Sequence, residues 1–599
     1  MTPPRAEELQ SAISLTDTDR PLVDQSRDIE VDVVVVGAGP NGLITALYLA
    51  AAGLQVAVAE KRYEIGGGLA TEEVLFPGYY ANTHATYHYM VDFMPVLSDF
   101  ELSRHGLRFY KPSLQAAGDI GGEKVRLYRA LDDTRDFLAR NSIAEADSFA
   151  TMAMGFRRIV GEIIGPATYL PPLPPLDTVE KMGTTSTGQA LLDVSEMSAV
   201  EVVSEAALSD PVTATLLYMS CQWGISPQES GMGFMVPLLI DRGLQKAFCY
   251  GGSHRMASAI SRELLLRGGM VLDNSEVVSI LVDGSESRAS GVVMADGRTV
   301  HARHAVVSSL DPRTTFMNLL GEGNLDRNFA EAVGEWKYDK WSLFTAFFVL
   351  ERSGTGDGHV RESASGAGAA GGRGGTHGGP GTEARAAGRM NRTAGTQVGQ
   401  EEPFLEVIGF DSTDDVIAVL EAVEGGDLPK LAGHLTMESE LDTVLAPRDG
   451  RVVGFFQMPA PYDFPWEEKA GEVTDQAVSL LSSHVPGFRE RLVRIKLETP
   501  RDIERRLASM VRGSIKHGDY NPLQMGYMRP NIDCSDTRTP VAGLYLCGAS
   551  VYPGGMIIGG PGYLAARAIS SDLGVTFPFS VPGPMQRYVD TYLNGVVEW

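Results

Sequence analysis

Cysteine is scarce in this sequence. The four present, Cys221, Cys249, Cys534 and Cys547, are scattered, with no C-x-x-C pair and no metal-ligand spacing. A disulfide framework and a dithiol redox centre are therefore not expected, and neither is a metal site. Positive charge is also short: 51 Lys and Arg stand against 76 Asp and Glu, a net charge of −25. That balance argues against nucleic acid or an anionic membrane as a partner held by charge. Apolar, peripheral contact with a membrane is a separate matter and stays open. No run of eighteen apolar residues occurs, so no bilayer-spanning helix is expected. The first thirty residues mix acids with a few arginines around no apolar centre, the composition of neither a signal nor a transit peptide. These absences together point to a cytoplasmic enzyme.

What remains is ample. A chain of 599 residues, 43% hydrophobic and 21% charged, can bury large cores and should form two lobes or one composite domain. Its most informative stretch is Val31 to Glu60. A β-branched run, Val31 to Val36, leads into Gly37-Ala-Gly39-Pro-Asn-Gly42. A helix-like segment follows from Leu43 to Ala52, then a turn at Gly53, a second strand from Gln55 to Ala59, and an acid, Glu60. This is a βαβ unit with the dinucleotide fingerprint in its proper context. Gly37 permits the tight turn, Gly39 lets the backbone approach a pyrophosphate, and Gly42 lets helix pack close on strand. The helix N-terminus offers free N–H groups to the phosphates, and Glu60 stands where a carboxylate accepts bonds from ribose hydroxyls. Gly366-Ala-Gly368-Ala-Ala-Gly371 fits the same spacing, but no strand precedes it and no apolar helix follows, so it reads as a chance match.

Along the chain, residues 1–30 read as a polar arm and 31–105 as the first part of a dinucleotide-binding domain. Residues 106–245 read as a largely helical cap, with helical periodicity over Asp147 to Ile164 and Ala190 to Ala207. Met232 to Ile240 is strongly apolar, a buried core helix or a lipid-dipping edge. A second α/β pattern spans 246–320: a helix from Met256 to Arg267, strands at Met270 to Leu272 and Val277 to Val282, and a hairpin-rich stretch ending in Thr299 to Val307. Residues 321–530 read as a substrate domain, with strands at Trp341 to Leu350 and Pro403 to Phe410 and a helix around Asp475 to Ser483. Between those strands, residues 353–400 are dominated by Gly, Ala, Thr and Arg, and such a composition cannot offset its ordering entropy. A disordered insertion is expected there; Asn391-Arg-Thr393 within it fits a glycosylation pattern, but nothing else suggests secretion. Residues 531–575 return to strand (Leu544 to Cys547), Gly-rich loop and helix (Tyr563 to Leu573), and 576–599 form a tail.

Three features favour FAD over NAD(P). The fingerprint is nearly N-terminal. Lys61, Arg62 and the cluster Gly66 to Gly68 follow Glu60 directly. Near the other end, Gly543-Leu-Tyr-Leu-Cys-Gly548-Ala-Ser-Val-Tyr-Pro-Gly-Gly555-Met556-Ile-Ile-Gly-Gly-Pro-Gly562 supplies a second strand, loop and helix start, as a long cofactor requires. A helix start near Gly562 can set N–H groups against a flavin carbonyl that gains negative charge on reduction.

With these segments in view, the sequence resembles the phytoene desaturase-related family of flavoproteins. It is nearest the subgroup called pyridine nucleotide-disulfide oxidoreductase domain-containing protein 2. The resemblance runs through VVVVGAGPNGL…EKR…GGG, Tyr250-Gly-Gly-Ser…Asn274-Ser-Glu-Val-Val-Ser-Ile, His517-Gly-Asp519 with Gln524 and Arg529-Pro530, and the GLYLCG…PGG ending. It implies an α/β fold: a discontinuous, glutathione reductase-like FAD-binding Rossmann domain joined to an α+β substrate domain. It implies a flavin-dependent dehydrogenase or desaturase of an apolar, polyene or isoprenoid-like small molecule. It places Gly37, Gly39, Gly42, Glu60, Arg62 and Gly67 on the FAD, Val278 at the adenine, and Gly548 at the pyrophosphate or ribityl region. Gly555, Met556 and Gly562 fall by the isoalloxazine. The sequence departs from relatives at two places: Ala549-Ser550 stand where many carry an acid for the ribityl chain, and Tyr552 stands where many carry His.

For catalysis, Asn82-Thr-His84-Ala-Thr-Tyr87-His88-Tyr89 gathers polar aromatics soon after the FAD segment. His84 and His88 are candidate acid–base groups or hydrogen-bonded structural histidines. His517 and Asp519 face the substrate or cap a turn at Gly518. Cys547 reads as a small buried hydrophobe. An isomerase or saturase on the same scaffold, and a flavin-bearing regulatory protein without turnover, are the alternatives.

Overall fold

The computed structural model describes residues 28–284, 288–352, 402–597 and 599. The polar arm through residue 27 and the insertion 353–400, with its Gly366 match and Asn391-Arg-Thr393, lie outside the described residues.

The strand Ile29–Val36 is the centre of the first sheet. It pairs in parallel with Val56–Ala59 on one side and Thr299–Ser308 on the other. Met270–Leu272 extends the sheet beyond Val56–Ala59, again in parallel. Thr299–Ser308 serves two partners along its length. Its first half closes an antiparallel meander with Val277–Asp283 and Arg288–Met294, and its last three residues pair in parallel with Leu544–Leu546. Val33 to Val36 are buried almost completely, because a parallel sheet covered on both faces demands a continuous apolar run. The helices Pro40–Ala51 and Gly560–Asp572 pack on each other, and His254–Leu266 packs beside the first of them. The consequence for function is directional. The C-terminal ends of Ile29–Val36, Val56–Ala59, Thr299–Ser308 and Leu544–Leu546 all open on one edge, the edge at which open α/β sheets take ligands.

The second sheet runs in the order Leu492–Glu498, Ser342–Glu351, Arg451–Ala460, Gly433–Thr436, Glu406–Phe410, Leu114–Ile120, Glu123–Tyr128. Alternation along Ser342–Glu351 divides its two faces. Leu343, Phe347 and Val349 join the core shared with the first sheet's helices, whereas Phe344, Ala346, Phe348 and Leu350 face the core under Trp466–His484.

Several elements differ from the sequence reading. The region 106–245 contributes a hairpin, Leu114–Ile120 with Glu123–Tyr128, before its helices begin. Gly121 and Gly122 turn it with φ of +56° and +85°, and its outer strand alternates Lys124 and Arg126 with buried Val125 and Leu127. The helical stretch expected over 190–207 divides into Ser186–Ser195 and Ala199–Ser204, because Ser198 and Glu201 form a capping box that restarts the helix. Met235–Gly243 is buried along its whole length, which makes the apolar segment at Met232 a core element. Among the described residues no helix is long and apolar enough to cross a membrane.

Candidate functional site

At the common edge of the four parallel strands lies a cleft of about 1740 Å³ including its mouth. Its floor is the turn after Ile29–Val36. Gly37 has φ +92°, and a Cβ at Gly42 would stand 2.1 Å from the Gly37 carbonyl oxygen, so only glycine lets the helix start this close to the strand. Gly39 is the opposite case: a Cβ there would meet nothing within 4 Å. The space beside Gly39 is open, and Pro40–Ala51 begins at it with proline in its first turn and no side-chain cap. Its first N–H groups are thus left to an anion. Gly66 N–H donates to Ala38 O at 2.8 Å, and a Cβ on Gly67 (φ +53°) would lie 3.2 Å from Gly39 Cα. The second glycine loop therefore crosses the first backbone to backbone.

Glu60 ends the second strand. Its Oε2 accepts from Ala38 N–H at 2.8 Å and its Oε1 from Arg62 N–H at 2.9 Å. Burial raises its pKa above the usual carboxylate value, and the N–H donors of Arg62 and Ala38 oppose that rise. Both oxygens keep a further lone pair for hydroxyl donors. Lys61 also lines the cleft, but its ammonium is paired with Glu276 at 2.8 Å and is 55% exposed. Arg62 pairs with Glu72 at 2.8 Å; Glu72 is shared with Arg506 (3.3 Å), which also binds Glu498 at 2.6 Å. Val278 stands half-exposed at the mouth.

The opposite wall comes from the end of the chain. A Cβ on Gly548 would meet Ser309 O at 2.3 Å. Gly555 N–H donates to the Tyr520 hydroxyl at 2.8 Å. Met556 and Ile557 follow with φ of +70° and +54°, consecutive left-handed residues that cost of order 1–3 kcal/mol each and persist only where surroundings enforce them. Gly562 lies outside the cleft lining, buried against Asn41. Gly42 and Gly66 likewise shape the wall from behind it.

The three candidate histidines are not brought together. His517 lines the cleft; His84 and His88 do not. Burial, aided by the Arg506 charge, pushes His84 down to about 3, and its Nε2 has no partner. His88 is fully buried edge-on to Phe109, pushed down to about 4, with neither ring nitrogen bonded. Asp519 turns away from the cleft, accepting from Asn521 Nδ2 at 3.0 Å.

The sequence reading missed several other lining residues. Arg505 to Met510 closes the cleft, with Met510 Cε 3.3 Å from where a Gly68 Cβ would stand. Ser309 and Leu310 follow a strand that returns to the same edge, a signal that could have found them. Asn41 exposes the need for a ligand most directly: its Oδ1 is buried without a partner. An open cradle at Gly39, free N–H groups, a backbone-fixed carboxylate and an orphaned amide fit an adenine dinucleotide with a long flavin-side extension.

The comparisons agree. The Thi4 family model matches residues 18–87. The chain is 32% identical to one of the limonene dehydrogenase subunits of Castellaniella defragrans over 570 residues, 92% of this chain and 97% of that one. It is 27% identical over 600 residues to pyridine nucleotide-disulfide oxidoreductase domain-containing protein 2 of Mus musculus, covering 91% and 94% of the two chains. Among solved structures, a triple mutant of putrescine oxidase redesigned in its cofactor binding superposes with a TM-score of 0.55 at 15% identity, over 92% of this chain and 100% of that one. That last likeness speaks for the fold.

Proposed function

This chain belongs to the family of FAD-dependent oxidoreductases that includes limonene dehydrogenase, and on that footing we propose that it dehydrogenates an apolar small molecule by hydride transfer to flavin N5. FAD, when bound, supplies the two-electron acceptor. The chain's residues hold, orient and keep dry. In this reading Glu60 takes the ribose hydroxyls, Val278 the adenine face, and the Gly37–Gly39 turn with the following helix start the pyrophosphate. Lys61 and Arg62 set the charge of the mouth, Gly66 and Gly67 brace the turn, and Gly548, Gly555 and Met556 border the flavin end.

The observation that carries the substrate class is what lies behind the cleft wall. Ala85 N–H donates to Gly68 O at 3.2 Å, so the chain at Tyr87 to Tyr89 enters the interior directly from the wall. There the ring of Tyr87 meets Phe404 at 5.0 Å and Trp223 at 6.4 Å, and Tyr89 meets Trp223 at 6.4 Å. Their polar atoms are spent on one another or on the sheet: Trp223 Nε1 donates to Tyr89 at 3.0 Å, and Tyr87 pairs with Thr436 at 2.7 Å. These rings are buried packing behind the cleft and form no part of its lining; an aromatic backing of that kind favours a hydrocarbon over a charged substrate. Hydride transfer needs such a dry, fixed setting more than an ionisable triad.

Anaerobic mixing tests the reading. The oxidised holoprotein with limonene, the compound named in its relative, or another cyclic hydrocarbon should lose its visible flavin absorbance without added reductant. Bleaching by dithionite but by no apolar compound would overturn it. Conversion of substrate only after prior flavin reduction, with no net redox change, would assign an isomerase instead.

A further inference from the structure

We propose that His517 holds the hydroxyl-bearing ribityl chain of FAD, in place of the carboxylate that this sequence lacks at Ala549-Ser550.

The first ground is what the neighbouring loop cannot do. Ser550, the hydroxyl side chain nearest the place where relatives carry an acid, is fully buried and donates to Leu310 O at 3.3 Å. Ala549 offers no polar side-chain atom, and its carbonyl accepts from Arg529 Nε at 3.1 Å and Nη2 at 2.9 Å. The strand end therefore presents no carboxylate to the ribityl hydroxyls, its serine is turned to Leu310, and its Ala549 carbonyl is taken by Arg529.

The second ground is how His517 is held. It lines the same cleft as Gly548, Ala549 and Gly555. Its φ is +57°, a left-handed conformation that a non-glycine residue keeps only under constraint. The constraint comes from every side. Gly518 N–H donates to Ser514 Oγ at 2.8 Å, and Asp519 N–H to Lys337 O at 3.0 Å. Arg529 Nη2 donates to Lys516 O at 2.8 Å. A Cβ on Gly518 would fall 2.1 Å from the Trp336 ring. The loop is fixed before and after His517, and the imidazole is the part left uncommitted. Its Nδ1 is buried with no partner, an expense unless a ligand supplies one.

The third ground is chemical fit. Burial pushes the imidazole down to about 4; the Asp311 carboxylate raises it and the Arg529 guanidinium lowers it. A neutral imidazole presents one N–H and one lone pair. Sugar-alcohol hydroxyls, which donate and accept, match both nitrogens; a phosphate, which only accepts, would use the N–H alone.

The test is a cycle between side chain and cofactor. Apoprotein of wild type, His517→Gln, His517→Asn and His517→Ala is titrated with FAD and with FAD analogues lacking single ribityl hydroxyls, following flavin fluorescence. Urea midpoints of the apoproteins are measured alongside. We expect His517→Ala to weaken FAD binding about tenfold, the size of one good hydrogen bond, with His517→Gln restoring part of it. One deoxy analogue should cost wild type about the same factor and cost His517→Ala nothing further. Asn tolerates left-handed backbone, so His517→Asn reports the side chain if His517→Ala unfolds. Unchanged FAD affinity in a folded variant would overturn the proposal. So would equal deoxy penalties in wild type and variant. Full flavin content with loss only of substrate-driven bleaching would assign His517 to catalysis instead.

Discussion

Gly562 and Asn41 touch backbone to backbone: a Cβ on Gly562 would stand 2.5 Å from the Asn41 carbonyl oxygen and 3.0 Å from its Cα. Thr45 Oγ fastens the contact, donating to Asn41 O at 2.9 Å and Gly562 O at 3.0 Å. The helix that opens the cofactor segment and the helix that closes the chain's return to it are thus seated on each other through small residues. The two segments proposed to hold FAD therefore cannot shift independently at this contact.

Gly562→Ala should therefore act through packing. Overlap with a backbone oxygen cannot be relieved by a rotamer, so apoprotein stability should fall by about 1–3 kcal/mol. FAD should restore part of the loss by mass action. Urea denaturation with and without FAD measures both, and an unchanged apo midpoint would refute the contact.

His88 predicts an acid-side loss of stability. Burial holds its folded pKa at about 4 against 6.5 for the free side chain, so the unfolded chain binds more protons between those values. Its contribution is complete above about pH 6.5 and is lost as pH falls toward 4. Near pH 5 the loss is roughly 2 kcal/mol. His88→Phe should lose correspondingly less stability than wild type between about pH 7.5 and 5, and should keep its turnover. Parallel pH dependence of the two proteins would show that His88 is not the group responsible.

Arg506 joins Glu72 to Glu498 at the end of the second-sheet strand Leu492–Glu498, and the Glu498 side chain is only 2% exposed. Arg506→Met leaves that carboxylate buried without its partner, at a cost of about 3–5 kcal/mol. The double variant Arg506→Met/Glu498→Leu should recover most of it. Denaturant midpoints of wild type, both singles and the double decide, and an additive double would exclude the coupling.

All four cysteines are buried and free of disulfides, and burial raises every thiol above its usual range, Cys547 to about 12. A thiol reagent should label the native holoprotein negligibly and four positions after unfolding. Fast labelling of a native thiol with loss of activity would place a reactive cysteine in the mechanism.

The geometry of the candidate cofactor site was legible wherever backbone chemistry dictates the residue. Gly37, Gly39 and Gly42 each have the separate role that their spacing implies: a positive φ, an open approach, a close helix. Glu60 follows from its place at the end of the second strand. Side chains placed by tertiary packing were not legible. Nothing local marks Arg505 to Met510, the end of the helix Pro500–Arg506 and the turn after it, because a covering segment needs only to reach, not to repeat. His88 sits in a polar aromatic run that looks chemical, yet its burial is decided by Phe109 and Ala247 from distant segments. The hairpin at 114–128 was hidden because its strands complete a sheet whose other members lie far along the chain.

Gly39→Val tests the central claim most directly. The position has extended backbone and open space around its Cβ, so the variant should fold, losing about 1 kcal/mol or less through the helix cap. The side chain would occupy the cradle assigned to the pyrophosphate. Flavin released from purified protein should be one per chain for wild type and near zero for Gly39→Val at an apo stability close to wild type. A folded Gly39→Val protein carrying a full complement of FAD would contradict the account.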